Sequence, residues 1–248
     1  MPNLTQLRLA AREIFDETLR AVDAGAALRR AVSLDGAQLN VCGATIDIGT
    51  RSIYSVAIGK AAGPMAYTLE QIVGDSFAEG LVSGLDLSPS LIGLGTPHEL
   101  TSKTRWRWCE GGHPLPNKTS LFAANEAFDL LRSANEERAL IIFLISGGGS
   151  AMLEWPANDD ITLVDLRAAN KALVNCGASI SEINAVRRAF SAVKGGRLAA
   201  RAPDCPRSIP VLRQNGGLEP SRSKQCSKIR PKPPAPSGSP SPNRSALQ

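Results

Sequence analysis

The chain has 248 residues, with 28 Lys and Arg against 23 Asp and Glu, and an aromatic share of 4%. That length suits one large domain or two small ones with a sizeable core, and no run approaches the ~18 apolar residues needed to span a bilayer. Residues 205–248 hold eight basic residues and one acidic, whereas residues 1–204 hold 20 basic against 22 acidic. The net charge of +5 therefore belongs to the tail, and the folded part carries no basic excess that would mark it as a binder of nucleic acid.

Five cysteines stand singly at positions 42, 109, 176, 205 and 226, with no C-x-x-C pair. They read as buried or incidental thiols of a cytoplasmic chain. His98 and His113 are the only histidines, and neither has a second ligand at helical spacing, which removes the usual metal sites.

From the N-terminus, LTQLRLAAREIFDETLRAVDAGAALRRAV at 4–32 is charged throughout and predicts one amphipathic helix rather than a signal peptide. RSIYSVAIG at 51–59 predicts a strand entering a turn at Gly59, and AAGPMAYTLEQIV a following helix with Pro64 in its first turn. GLVSG at 80–84 and RWRWCE at 105–110 predict two more strands, the second running into the turning segment GGHPLPN. KTSLFAANEAFDLLRSANEERA has helical spacing with caps offered between Asn117 and Ser120. Residues 139–145 are continuously apolar, as in a strand buried on both faces. DDITLVDLRAANKALVNCG then predicts an amphipathic helix ending at glycine, and SISEINAVRRAF a helix with a Ser-x-x-Asn start. Strands alternating with helices predict an α/β fold, a mainly parallel Rossmann-like sheet with helices on both faces.

The stretch LISGGGSAMLEWP at 144–156 follows the buried strand and restarts apolar at Ala151 and Met152, which places a strand-to-helix junction where α/β sheets bind ligands. A Walker A loop needs a lysine that Ser146 to Met152 lack, and Gly59-Lys60 is followed by Ala61. A dinucleotide fingerprint and a hydrolase elbow both need glycine at 152, which is Met. Two alternatives remain: a tight turn with a serine N-cap, or a nest of successive N–H groups that binds phosphate or carboxylate, with Ser146 and Ser150 as extra donors. Lys60 stands at the matching end of the earlier strand, either as a solvated surface cation or as a screen for a transferring phosphoryl group. His113 similarly reads as a turn histidine or as a third strand-end group. Glu182, Asn184, Arg187 and Arg188 span less than two helical turns, which alone describes a solvated face.

VAIGKAAGPMA at 56–66, GGHPLPN at 111–117, SGGGSAML at 146–153 and SISEINAVRRAFSAVKGGRLA at 179–199 together resemble the class II glycerate kinases, the MOFRL or hydroxypyruvate-reductase-like family. The resemblance covers about residues 5 to 203. It implies ATP-dependent phosphorylation of D-glycerate to 2-phosphoglycerate with Mg²⁺, in a cleft between a larger Rossmann-like domain and a smaller MOFRL domain. On this resemblance Lys60 corresponds to the essential lysine, and Ser146, Gly147, Gly148, Gly149 and Ser150 to the phosphate or substrate loop. On the same resemblance, Glu182, Asn184, Arg188 and Lys194 would line the same cleft.

Partners would be glycerate and ATP, with no nucleic acid and no membrane, and a homodimer left open. Two other functions stand beside this one: NAD(P)H-dependent hydroxypyruvate reduction, and ligand binding without catalysis.

The resemblance stops near Cys205, where nine of the 17 prolines crowd into a basic tail. The expected domain is thus residues 1–204, with 205–248 a disordered and non-native tail, the MOFRL domain absent and one wall of the cleft missing. Little kinase activity and exposed apolar surface are expected of such a chain.

Overall fold

The computed structural model describes residues 3–85, 105–208, 210–212 and 218–220. His98, Cys226 and the tail from 221 onward lie outside the described residues. None of the described helices is long and apolar enough to cross a membrane.

The N-terminal segment forms two helices instead of the single one expected. Helix α1 (Leu4–Ala21) ends at Val22, and α2 (Ala24–Ala31) starts afresh. Asp23 makes the break, because its carboxylate accepts the Ala26 N–H at 2.6 Å as an N-cap. Helix α1 packs against little, leaving Leu4, Leu7, Ile14 and Phe15 all more than half exposed. Between 32 and 47, where the sequence suggested only the helix end at Val32, three short strands β1 (Val32–Asp35), β2 (Gln38–Val41) and β3 (Ala44–Asp47) form an antiparallel meander.

The main sheet is built from β4 (Ile53–Ile58), β5 (Phe77–Gly84), β6 (Trp106–Glu110) and β7 (Leu140–Ile145), all parallel. In space the order is β7-β4-β5-β6. The chain moves outward from β4 to β5 and β6, then returns to the other side of β4 for β7, which creates a switch point between β4 and β7. Their register places Ile58 beside Ile145, so the two strands end level and their following loops meet.

Helices α3 (Ala62–Val73) and α2 cover one face, and α4 (Lys118–Glu136) covers the other. Alternate residues of β4 divide accordingly: Ile53 and Ala57 pack with Met65 and Leu69, whereas Tyr54, Val56 and Ile58 pack with Leu130 and Leu131. Each fully buried Val, Leu, Ile or Met among these contributes about 1.5–3 kcal/mol of transfer free energy. Helix α4 begins at Asn117, whose side chain accepts the Ser120 N–H at 2.8 Å. The buried Ser120 hydroxyl in turn accepts the N–H of Gly112 at 2.9 Å, tying the GGHPLPN segment to the helix start.

The sheet continues past the expected boundary at 204. Strand β8 (Arg207–Ser208) and β9 (Pro210–Leu212) both pair parallel with β7, and β10 (Leu218–Pro220) pairs antiparallel with β9. The proline-rich composition obscured these strands, yet proline is tolerated where a strand is short and at the sheet margin. Helices α6 (Leu163–Asn175) and α7 (Ile180–Ala189) complete the described fold, after the one-turn α5 (Gly149–Met152).

Candidate functional site

The site grows from the level ends of β4 and β7. After β4, Gly59 turns the chain with φ +119, and a Cβ there would lie 2.3 Å from Ser146 Oγ. Only glycine lets the two loops approach this closely. The contact is stitched by hydrogen bonds. Lys60 N–H donates to the Gly147 carbonyl at 2.8 Å, Ala61 N–H donates to Ser146 Oγ at 3.0 Å, and Ser146 N–H donates to the Ile58 carbonyl at 2.9 Å. Ser146 Oγ also donates toward the Ile58 carbonyl at 3.3 Å. This buried hydroxyl is therefore occupied in joining the loops and is not the spare donor expected from sequence.

Beyond Ser146 the three glycines act differently. Gly148 has φ +90 and forms the N-cap of α5. A Cβ on Gly147 would meet nothing within 4 Å, so that glycine faces open space. The backbone N–H groups of Gly147, Gly148, Gly149 and Ser150 donate no hydrogen bond among the described residues. Four consecutive unpaired donors around a left-handed residue have the backbone pattern from which anion nests are built.

The expected helix at this junction is a single turn, so a macrodipole adds little to the nest. The turn stops at Leu153, whose backbone is extended at φ −129 and ψ 116, and Pro156 disfavours a helical restart at Trp155. Two neighbouring contacts fix α5: buried Ser83 Oγ donates to the Met152 carbonyl at 2.7 Å, and Gly111 passes so near that a Cβ would lie 2.5 Å from Met152 Cα.

The glycine loop forms one wall of a cavity of about 620 Å³. Asn184 and Arg188 of α7 line it, with Lys194 and the turn at Gly195-Gly196. Both of those glycines have positive φ, +67 and +85, which sets the turn carrying Lys194. The exposed Lys60 lies along the rim: a Cβ on Gly148 would lie 3.2 Å from Lys60 Cγ. Its ammonium makes no hydrogen bond or ion pair among the described residues.

Of the residues singled out in sequence, Ser146 to Ser150, Asn184, Arg188 and Lys194 thus gather at one cavity, with Lys60 at its edge. Glu182 does not line it. Its carboxylate caps α7, accepting from Ser179 N at 2.9 Å and Ser179 Oγ at 2.7 Å. These hydrogen bonds hold the Glu182 carboxyl below its ordinary value. The helix start is therefore Ser179-x-x-Glu182 and not the Ser-x-x-Asn pattern expected. His113 is exposed in the turn after β6.

Sequence reasoning passed over Glu154. It is 2% exposed, ion-paired with Lys194, and hydrogen-bonded to Ser191 Oγ at 2.5 Å. Burial pushes the Lys194 ammonium below the usual lysine value, and Glu154 opposes that shift. A lone acid among apolar neighbours in MLEWP was the available signal.

The family described as "Domain of unknown function (DUF4147)" matches residues 10–209. A glycerate 2-kinase of Pyrococcus horikoshii is 36% identical over 186 residues, which cover 75% of this chain and 39% of that protein. A protein of Agrobacterium vitis, provisionally named a hydroxypyruvate reductase, is 37% identical over 166 residues, covering 67% of this chain and 40% of that one. The crystal structure of glycerate kinase from Thermotoga maritima superposes with a TM-score of 0.64 at 28% identity, covering 84% of this chain and 44% of that one. The chain thus spans about two-fifths of the length of the curated relatives it matches. It belongs to the DUF4147 family, among relatives that include the glycerate 2-kinases.

Proposed function

We propose that this chain carries the phosphate-handling part of a glycerate 2-kinase of the cytoplasm, which transfers the terminal phosphoryl group of ATP to the C2 hydroxyl of D-glycerate. In that reaction the C2 oxygen bonds to the γ-phosphorus, the bond from that phosphorus to ADP breaks, and the hydroxyl proton is released. The products are 2-phosphoglycerate and ADP. The observation that carries the proposal is the run of backbone donors at Gly147 to Ser150 beside the Lys60 ammonium, neither of which has a partner among the described residues, at the sheet's switch point.

Phosphoryl transfer asks a protein chiefly to position reactants and to stabilise charge on the phosphoryl oxygens. The nest N–H groups and the Ser150 hydroxyl would hold phosphate oxygens, and Lys60 would screen charge at the rim. Arg188, Lys194 and Asn184 would orient the anionic substrate. Glu182 keeps its role as the cap of α7. Mg²⁺ binds through one or two carboxylates plus phosphates, but among the described residues no carboxylate lines this cavity and no group of three metal-ligating side chains gathers. These residues alone do not fit a metal site, and no step is assigned to one.

Thermal unfolding with ATP and with D-glycerate, beside Lys60→Ala, tests the proposal. Each ligand should raise the midpoint of the parent chain, and the rise with ATP should shrink in Lys60→Ala; a parent chain indifferent to both ligands would overturn it. Oxidation of NADH in the presence of hydroxypyruvate would favour the reductase instead, for which position 152, a Met, breaks the dinucleotide fingerprint.

A further inference from the structure

Glu154 is the buried charged residue among the described residues, and its two oxygens do different work. Oε1 accepts from Ser191 Oγ at 2.5 Å and from Trp155 N at 3.1 Å. Oε2 pairs with the Lys194 ammonium. Ser191 Oγ in turn accepts the backbone N–H groups of Val193 and Lys194, each at 3.2 Å. One carboxylate thereby holds Lys194 twice, by its side chain directly and by its backbone through Ser191. Lys194 is 14% exposed, and the surface it keeps belongs to the cavity bounded by the glycine loop.

The other charged groups around Lys194 are cationic. Arg187 of α7 acts on it with like charge, and its own buried Nε lacks a hydrogen-bond partner. Arg188 lines the same cavity. Arg197 donates to the Ser191 carbonyl at 2.7 Å. A lysine enclosed among arginines sheds its proton readily unless a carboxylate accompanies it.

We propose that Glu154 is a positioning residue that holds Lys194 in the cavity wall as a cation facing the glycine loop, a role that rests on the phosphate-site reading of that cavity. Removing the carboxylate leaves burial and the like charges acting alone on Lys194. The ammonium then deprotonates at lower pH, and anion affinity is lost from the alkaline side.

The test uses the whole chain with Glu154→Gln and two readouts. Carbon NMR of labelled lysine follows the Lys194 titration, with Lys194→Arg assigning the signal. Calorimetry with inorganic pyrophosphate follows affinity from about pH 6 to about pH 9. Glu154→Gln should lower the Lys194 midpoint and add an alkaline loss of affinity of about tenfold, the factor equivalent to one pKa unit. The double variant Glu154→Gln/Lys194→Arg should abolish that limb, because guanidinium keeps its proton.

An unchanged Lys194 midpoint, with affinity falling equally at every pH, overturns the proposal. A parent chain that fails to bind pyrophosphate refutes the phosphate-site reading, whereas the NMR midpoint still decides the part played by Glu154. If Glu154→Gln does not fold, Glu154→Asp, which retracts the charge by one methylene, should give an intermediate shift; no shift in that variant overturns the proposal too.

Discussion

Helices α4 and α6 look alike in sequence and sit very differently in the molecule. Both have a side-chain N-cap and an apolar stripe. Helix α4 buries eight residues against the sheet, whereas α6 buries Leu166 alone, and α7 buries none. Val164 and Val174 of α6 are 73% and 65% exposed. Amphipathic spacing specifies that a helix has a face to bury. It does not specify what covers that face, and around α6 the described residues supply only part of a cover.

The sharpest way to break this contrast is to cut into the packed side. Leu131→Ala empties a site that is fully enclosed between α4 and the sheet, and it should cost about 2–5 kcal/mol in urea unfolding. Gly59→Ala should cost about 1–3 kcal/mol, since it adds a Cβ at positive φ against Ser146. It should also weaken pyrophosphate binding by displacing the glycine loop. Asn117→Ala removes the α4 cap and should cost about 1 kcal/mol. Val164→Ala on α6 should fall within about 0.5 kcal/mol. A loss there as large as at Leu131 would show that α6 is covered in solution, and the contrast would fail.

The parallel sheet was legible because buried strands such as Leu140–Ile145 are continuous apolar runs. The meander at 32–47 was not. Its β2–β3 turn places Cys42 and Gly43 both at positive φ, 51 and 81, as in a type I′ turn, and cysteine is not a residue from which such a turn is read. The break between α1 and α2 depended on Asp23 behaving as a cap within an otherwise unbroken helical pattern.

At the site, the glycine loop could be located from its place after the buried strand, whereas Lys194 came only from the resemblance of its block to the family's. Glu154 could not, since its meaning comes from Ser191 and Lys194, which lie 37 and 40 residues away. Ser146 could be located but not understood: its hydroxyl faces the β4 loop and is used there.

That stitch has a kinetic consequence. Strands β4 and β7 should open only with the core, and their loops are bonded to each other, so the glycine loop should open in the same cooperative unit as those strands. Its own four amides have no acceptor among the described residues and should still exchange deuterium within the fastest class. The loop is thus fixed in place yet unprotected, a combination that ordinary loop motion does not produce. An anion seated on it would slow exchange at Gly147 to Ser150 while leaving β4 and β7 unchanged.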